Sequence, residues 1–168
     1  MTSQAQSLSE ASTSDGRQIP ALVFFVVLCF AVAATGGFFP PDEWSALLNQ
    51  PTYAPPNWVF GPVWTLLYLL MAVSGWLVWQ SESTVSKRAP LAAFGAQLIL
   101  NAAWSALFFG FHDPGWAVVD ICLLWLAILC TIVLFRTHSK TASMLLMPYL
   151  AWVSFAAMLN YDFWSLNR

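Results

Sequence analysis

The residues of this chain best suited to chemistry are aromatic and amide side chains, with few nucleophiles among them. At helical spacing, positions three, four and seven apart share a face. Gly61, Trp64 and Tyr68 line up in this way, as do Gln97, Asn101 and Trp104, and Trp152, Ala156 and Leu159. A fourth stripe joins Trp116, Val119, Asp120 and Leu123. Indole and phenol rings offer flat faces for stacking and one polar handle each. Four such stripes, with a few hydrogen-bonding groups among them, suit the recognition of a flat apolar ligand. The same stripes also serve to fill a core, and on the residues alone that is their commoner use.

Other chemistries find no support. His112 and His138 fall at loops, so a mid-membrane pair of histidines for haem is not expected, and Lys87 and Lys140 lie too near the ends for a retinal Schiff base. Cys29, Cys122 and Cys130 sit in apolar runs without metal spacing and are read as small apolar residues. No phosphate-binding loop or nucleophile elbow occurs, and no metal site is expected. The basic residues are scattered, which argues against nucleic acid. Asp120 is the one acid inside a predicted span. It is either functional, as intramembrane acids are by default, or a structural hydrogen-bonding group to a neighbouring helix, or shallow enough to stay wet. Asn101 and Gln97 divide in the same way between helix contact and ligand contact.

The elements that must position these residues follow from composition. Charged residues make up 8% of the 168 residues and hydrophobic residues 59%, against roughly 25% charged in a soluble domain. Lipid is the natural solvent for such a surface. Long uncharged runs predict an all-α integral membrane bundle of five transmembrane helices, at about residues 19–39, 58–80, 90–111, 116–136 and 141–164. Each is near the roughly 20 residues that cross a bilayer core. Residues 1–18 read as a disordered polar tail, and no cleaved signal peptide is expected. Residues 19–168 form the membrane domain. With the N-terminus in the cytoplasm, Arg17, Lys87, Arg88, Arg136 and Lys140 all lie inside and only Arg168 outside. This is the bias that cytoplasmic loops carry. The proline-rich loop after the first span and the C-terminus are then expected outside.

Ten tryptophans exceed what interface anchoring needs. Trp44, Trp58, Trp76, Trp79, Trp116 and Trp164 fall near predicted helix ends or loops, where anchoring accounts for them. Trp64, Trp104, Trp125 and Trp152 lie deeper.

The most specific segment runs from Pro51-Thr52-Tyr53-Ala54-Pro55-Pro56-Asn57-Trp58 through Gly61-Pro62-Val63-Trp64 to Tyr68. Together with Gln97 to Trp104, Phe108-Phe109-Gly110, Gly115 to Asp120, Pro148 to Trp152 and Leu159-Asn160-Tyr161, it resembles the TspO/translocator protein family, whose members are also called tryptophan-rich sensory proteins or peripheral-type benzodiazepine receptors. The resemblance covers about residues 21–164. It implies a drug and porphyrin site at Ala34, Gly37, Phe60, Gly61, Trp64, Asn101, Trp116, Val119, Leu123, Trp152, Ala156 and Leu159. Trp104 and Asp120 join the expected ligand-binding set from their stripes. Ala92 and Ala96 form a small-xxx-small pair, which the resemblance turns into an expected homodimer face. One departure concerns sterols: after Leu159 and Tyr161 the next basic residue, Arg168, is one position too far for the family's proposed cholesterol motif.

The resemblance therefore implies a membrane receptor for porphyrins such as protoporphyrin IX, with a sensory or regulatory role in tetrapyrrole or stress metabolism. Porphyrin is its ligand, and no cofactor is required. A light-dependent porphyrin-degrading enzyme is an alternative, in which Trp64 and Trp152 would take part in catalysis. A structural or partner-regulating subunit is another. The charge bias fits a bacterial cell membrane, while relatives also occupy bacterial and mitochondrial outer membranes.

Overall fold

The computed structural model describes the backbone of residues 2–168 and the side chains of residues 18–168. Five helices are long and apolar enough to cross a membrane: Gln18–Phe38, Asn57–Gln80, Arg88–Gly110, Pro114–Arg136 and Lys140–Leu166. These are the expected spans, shifted by a few residues at their ends. Among the described residues there is no strand. The first helix, α1 (Thr2–Phe38), begins well before the expected span. The side chains of the expected polar tail lie outside the described residues, apart from Gln18.

A short helix, α2 (Glu43–Leu47), sits in the loop after α1. It is closed by a capping box in which Asp42 accepts from the Ser45 amide and Ser45 accepts from the Asp42 amide. A single tight turn (Asn57–Val59) leads into α3 (Phe60–Gln80). Then follow α4 (Arg88–Ser105), a π-helical turn (Ala106–Gly110) and α5 (Pro114–Arg136). Proline at the first position and the Asp113 carboxylate, which accepts from the Trp116 amide at 3.0 Å, start α5.

The last span is broken. It consists of α6 (Lys140–Leu145) and α7 (Met147–Leu166), where one uninterrupted helix was expected. Pro148 accounts for the break: it has no N–H to donate and its ring crowds the carbonyl four residues back. The short α6 is then free to pack on both α3 and α5, and the Ser74 hydroxyl donates to the Ala142 carbonyl at 2.7 Å.

Neighbouring helices run in the order α3, α1, α4, α5, α7. Phe25, Cys29, Met71, Ala72, Phe94 and Val78 are buried where α1, α3 and α4 meet. Gly75 permits this: a Cβ there would lie 2.7 Å from the Phe25 ring. Around the belt, Val23, Val27, Leu66, Ile99, Leu126, Val133 and Met158 are exposed. A water-facing surface would not carry that many apolar side chains, and a lipid-facing one does. Three indoles staple helices together. Trp76 donates to the Gln18 carbonyl at 3.1 Å, Trp104 to Asn160 at 2.8 Å and Trp125 to Ser154 at 2.8 Å.

Candidate ligand-binding site

Between α3 and α7 the space is filled by aromatic side chains. Phe60 meets Trp152 edge-on, with ring centroids 5.8 Å apart. Trp64 lies 5.5 Å from Tyr68 on its own helix and 6.1 Å from Tyr149 on α7. Trp152 continues to Phe155 at 5.6 Å, and Phe155 to Tyr53 of the loop at 6.2 Å. Trp64, Trp152 and Phe60 are half-buried. Toward the centre, the Tyr68 hydroxyl donates to the Asn101 carbonyl oxygen, and the Asn101 amide donates to the Tyr149 hydroxyl at 2.9 Å. One amide on α4 thus fixes a ring from each wall.

Among the described residues, four buried side-chain polar atoms lack a partner: Gln80 Nε2, Gln97 Oε1, Asp120 Oδ2 and Trp152 Nε1. The Trp152 Nε1–H is buried and donates to nothing among the described residues, and the same is true of Asp120 Oδ2 as an acceptor. A buried polar group without a partner costs free energy. Trp104 and Trp125, by contrast, have their N–H groups bonded across helices.

A strap of residues 39–56 crosses the same end of the bundle. Asn49 and Asn167 exchange hydrogen bonds, at 2.8 Å from the Asn49 amide to Asn167 Oδ1 and 3.1 Å from Asn167 Nδ2 to the Asn49 carbonyl. The Tyr53 hydroxyl donates to the Asp162 carboxylate. That hydrogen bond raises the Tyr53 pKa above the ordinary phenol value, and desolvation adds to it. On the other side, Asp42 meets His112 at 2.9 Å and Trp44 stacks on the His112 ring at 4.4 Å.

The expected site residues are only partly brought together. Phe60 and Trp152 meet, while Trp64 and Asn101 are joined through Tyr68 and Tyr149. Ala156 is half-buried and Leu159 buried on α7. Trp104 stacks on Phe108 at 5.3 Å and serves as a helix staple. Ala34, Gly37 and Gly61 are exposed.

The fourth stripe divides: Trp116, Val119 and Leu123 are 63%, 47% and 51% exposed on α5, while Asp120 is buried with Ala117, Ile121 and Leu124. Because α5 is apolar on every side, sequence spacing alone does not say which face meets lipid. Two broad surface depressions lie along α5 and α7. One, about 340 Å³, is lined by Trp116, Val119, Trp164 and their neighbours. The other, about 370 Å³, is lined by Ala157, Met158, Tyr161 and Asp162. Neither includes Trp64 or Trp152. Ala92 and Ala96 are exposed on the outer face of α4.

Tyr149 escaped the sequence reading. It precedes Trp152 by three residues, so extending that stripe one step back reaches it. Asn160, which accepts from Trp104 and donates to the Pro114 carbonyl at 3.1 Å, is a distant pairing with no local signal.

Residues 25–165 match the sequence profile of the TspO/MBR family. The chain is 41% identical over 161 residues to the tryptophan-rich protein TspO of Chlorobaculum tepidum, covering 90% of this chain and 98% of that one. It is 43% identical over 128 residues to the translocator protein of Homo sapiens, covering 75% and 76%. It is 37% identical over 143 residues to a tryptophan-rich sensory protein of Cereibacter sphaeroides, covering 85% and 89%.

Proposed function

The chain belongs to the TspO/MBR family, and from that premise we propose that it is a membrane receptor for porphyrins and similar flat apolar ligands, with a sensory role. The observation that carries this reading is the free Trp152 N–H at the aromatic boundary between α3 and α7. A planar macrocycle would replace the edge-on contacts among Phe60, Trp64, Tyr149 and Trp152 with stacked ones. A carboxylate or ring nitrogen on it would accept from Trp152. The sensory part of the proposal draws on the name of the Cereibacter sphaeroides relative.

The experiment is a titration of tryptophan fluorescence with protoporphyrin IX on the full chain in detergent. Saturable quenching at a fixed stoichiometry supports the reading. Linear, non-saturating quenching, equal to that of an unrelated membrane protein, removes it.

The bundle is proposed to sit in a bacterial cell membrane with its basic end cytoplasmic and its strap outside. An active alkaline phosphatase fused to the C-terminus would support this orientation, and an inactive one would reverse it. The exposed Ala92 and Ala96 are proposed as a homodimer face. Ala96→Phe is expected to shift the purified protein from dimer to monomer in light scattering, and an unchanged mass would move the interface elsewhere.

A further inference from the structure

The strap is fastened differently on its two sides. Toward α7 it is held by Asn49 with Asn167 and by Tyr53 with Asp162. Toward the turn between α4 and α5 its one polar tie is the His112 imidazole, beside apolar contacts of Trp44 with Phe108 and of Phe39 with Gly110. His112 has φ 54°, the left-handed region that a side chain such as histidine adopts uncommonly. This backbone presents the ring to the strap: Nε2 lies 2.9 Å from Asp42 Oδ2, and the Trp44 indole stacks on the ring at 4.4 Å with 24° between planes.

Both contacts respond to the charge on the ring. A protonated imidazole forms an ion pair with Asp42 and a cation–π contact with Trp44. A neutral one keeps only stacking and, in one tautomer, a neutral donor. We propose that residues 39–56 form a lid over the aromatic site, latched by His112 against Asp42 and Trp44, closed while His112 carries a proton and released when it loses it. The lid function rests on the reading of that site as a ligand pocket.

The surrounding charges leave His112 as the switch. Asp42 is its direct partner and Glu43 follows it on the strap. Asp113, on the turn itself, is engaged by the Trp116 amide at 3.0 Å. From the π-helical turn the nearest ring is Phe108, 6.1 Å from Trp44 and uncharged. At the end of α7, Asp162 is held by Tyr53, and Arg168 lies over Trp164 at 5.2 Å. The asparagines that hold the α7 side do not ionise, so that side acts as the hinge.

The sign follows from these groups. The latch is complete while the ring is protonated and weakens as rising pH removes that proton. At the acid end it lasts until Asp42 is protonated. The Ser45 amide chiefly holds the Asp42 carboxyl below the usual range; desolvation opposes it, and the His112 contact adds to the lowering. Because the pair is about 40% exposed on each side, its effect is modest.

The test uses protoporphyrin IX dimethyl ester, which has no carboxylates to titrate, chased from the full-length protein with empty lipid vesicles. Wild type is expected to release it about two- to five-fold faster at pH ~8 than at pH ~5.5. His112→Asn and Asp42→Asn should release it at the faster rate at both pH values. Asparagine tolerates the left-handed backbone, so the turn survives in His112→Asn. The same pH ratio in both variants as in wild type would overturn the latch. Limited proteolysis of the strap supplies a measurement without ligand. Cleavage of wild type relative to His112→Asn should be slower at pH ~5.5 and equal at pH ~8. Equal cleavage at both pH values overturns the latch whatever binds below it. Failure of the ester to bind at all would instead remove the pocket reading and leave proteolysis to decide the latch.

Discussion

Trp152→Ala is expected to weaken porphyrin binding about thirty-fold or more, the scale at which a central aromatic anchor contributes to an interface. Trp152 joins both parts of the site. Its ring meets Phe60 at 5.8 Å and Phe155 at 5.6 Å, and its N–H is a buried donor without a partner among the described residues. Trp152→Phe separates the two roles. It keeps a stacking face and removes the donor, so it is expected to cost only about five-fold, the worth of one hydrogen bond. Fluorescence is a compromised readout for these variants because a quenched indole is removed, so binding is better followed by the porphyrin absorbance shift. Trp125→Phe is the matched control. Its N–H is committed to Ser154 at 2.8 Å, so affinity should hold while stability falls. Equal affinities for wild type and Trp152→Ala would mean that the ligand sits elsewhere.

Asn101→Leu is expected to lower stability by about 1–3 kcal/mol. The buried Asn101 side chain accepts from Tyr68 on α3 and donates to Tyr149 on α7, so its loss strands two phenols between helices. Leucine fills similar volume, which isolates the hydrogen-bonding part of the effect. Tyr149→Phe removes one of the two bonds and should cost about half as much. Thermal unfolding in detergent, followed by circular dichroism, measures both. An Asn101→Leu protein as stable as wild type would show that the three-helix bridge is incidental.

These two residues also show what is legible in the sequence. The spans were legible, because charge and proline place their ends and lipid leaves helix as the choice for such long apolar runs. The break at Leu146 was legible in principle from Pro148. Helix rotation was not. In water a polar face tells which side is out, but α5 offers lipid and core the same apolar side chains. Trp116, Val119 and Leu123 share a stripe with Asp120 in the sequence, yet they are exposed where Asp120 is buried. Polar groups break that degeneracy. Asn101 and Asp120 were expected inside because lipid penalises them, and both are buried. Depth grouped Trp64 and Trp152 with Trp104 and Trp125, and the family resemblance, not the residues themselves, set the first two apart. In the structure, Asn160 and Ser154 supply acceptors to the latter pair from a distant part of the chain. Interface anchoring accounts well for the exposed Trp58 and Trp79 but less well for Trp44, whose ring is stacked on His112.

The central claim is that the aromatic boundary between α3 and α7 is where a flat ligand binds, and a crystal structure of the protoporphyrin IX complex tests it most directly. The account predicts a planar ligand in contact with Phe60, Trp64, Tyr149 and Trp152, with an acceptor within hydrogen-bonding distance of the Trp152 nitrogen. A ligand seated instead on the outer face of α5, against Trp116, Val119 and Trp164, with the α3–α7 aromatic contacts unchanged, would contradict it.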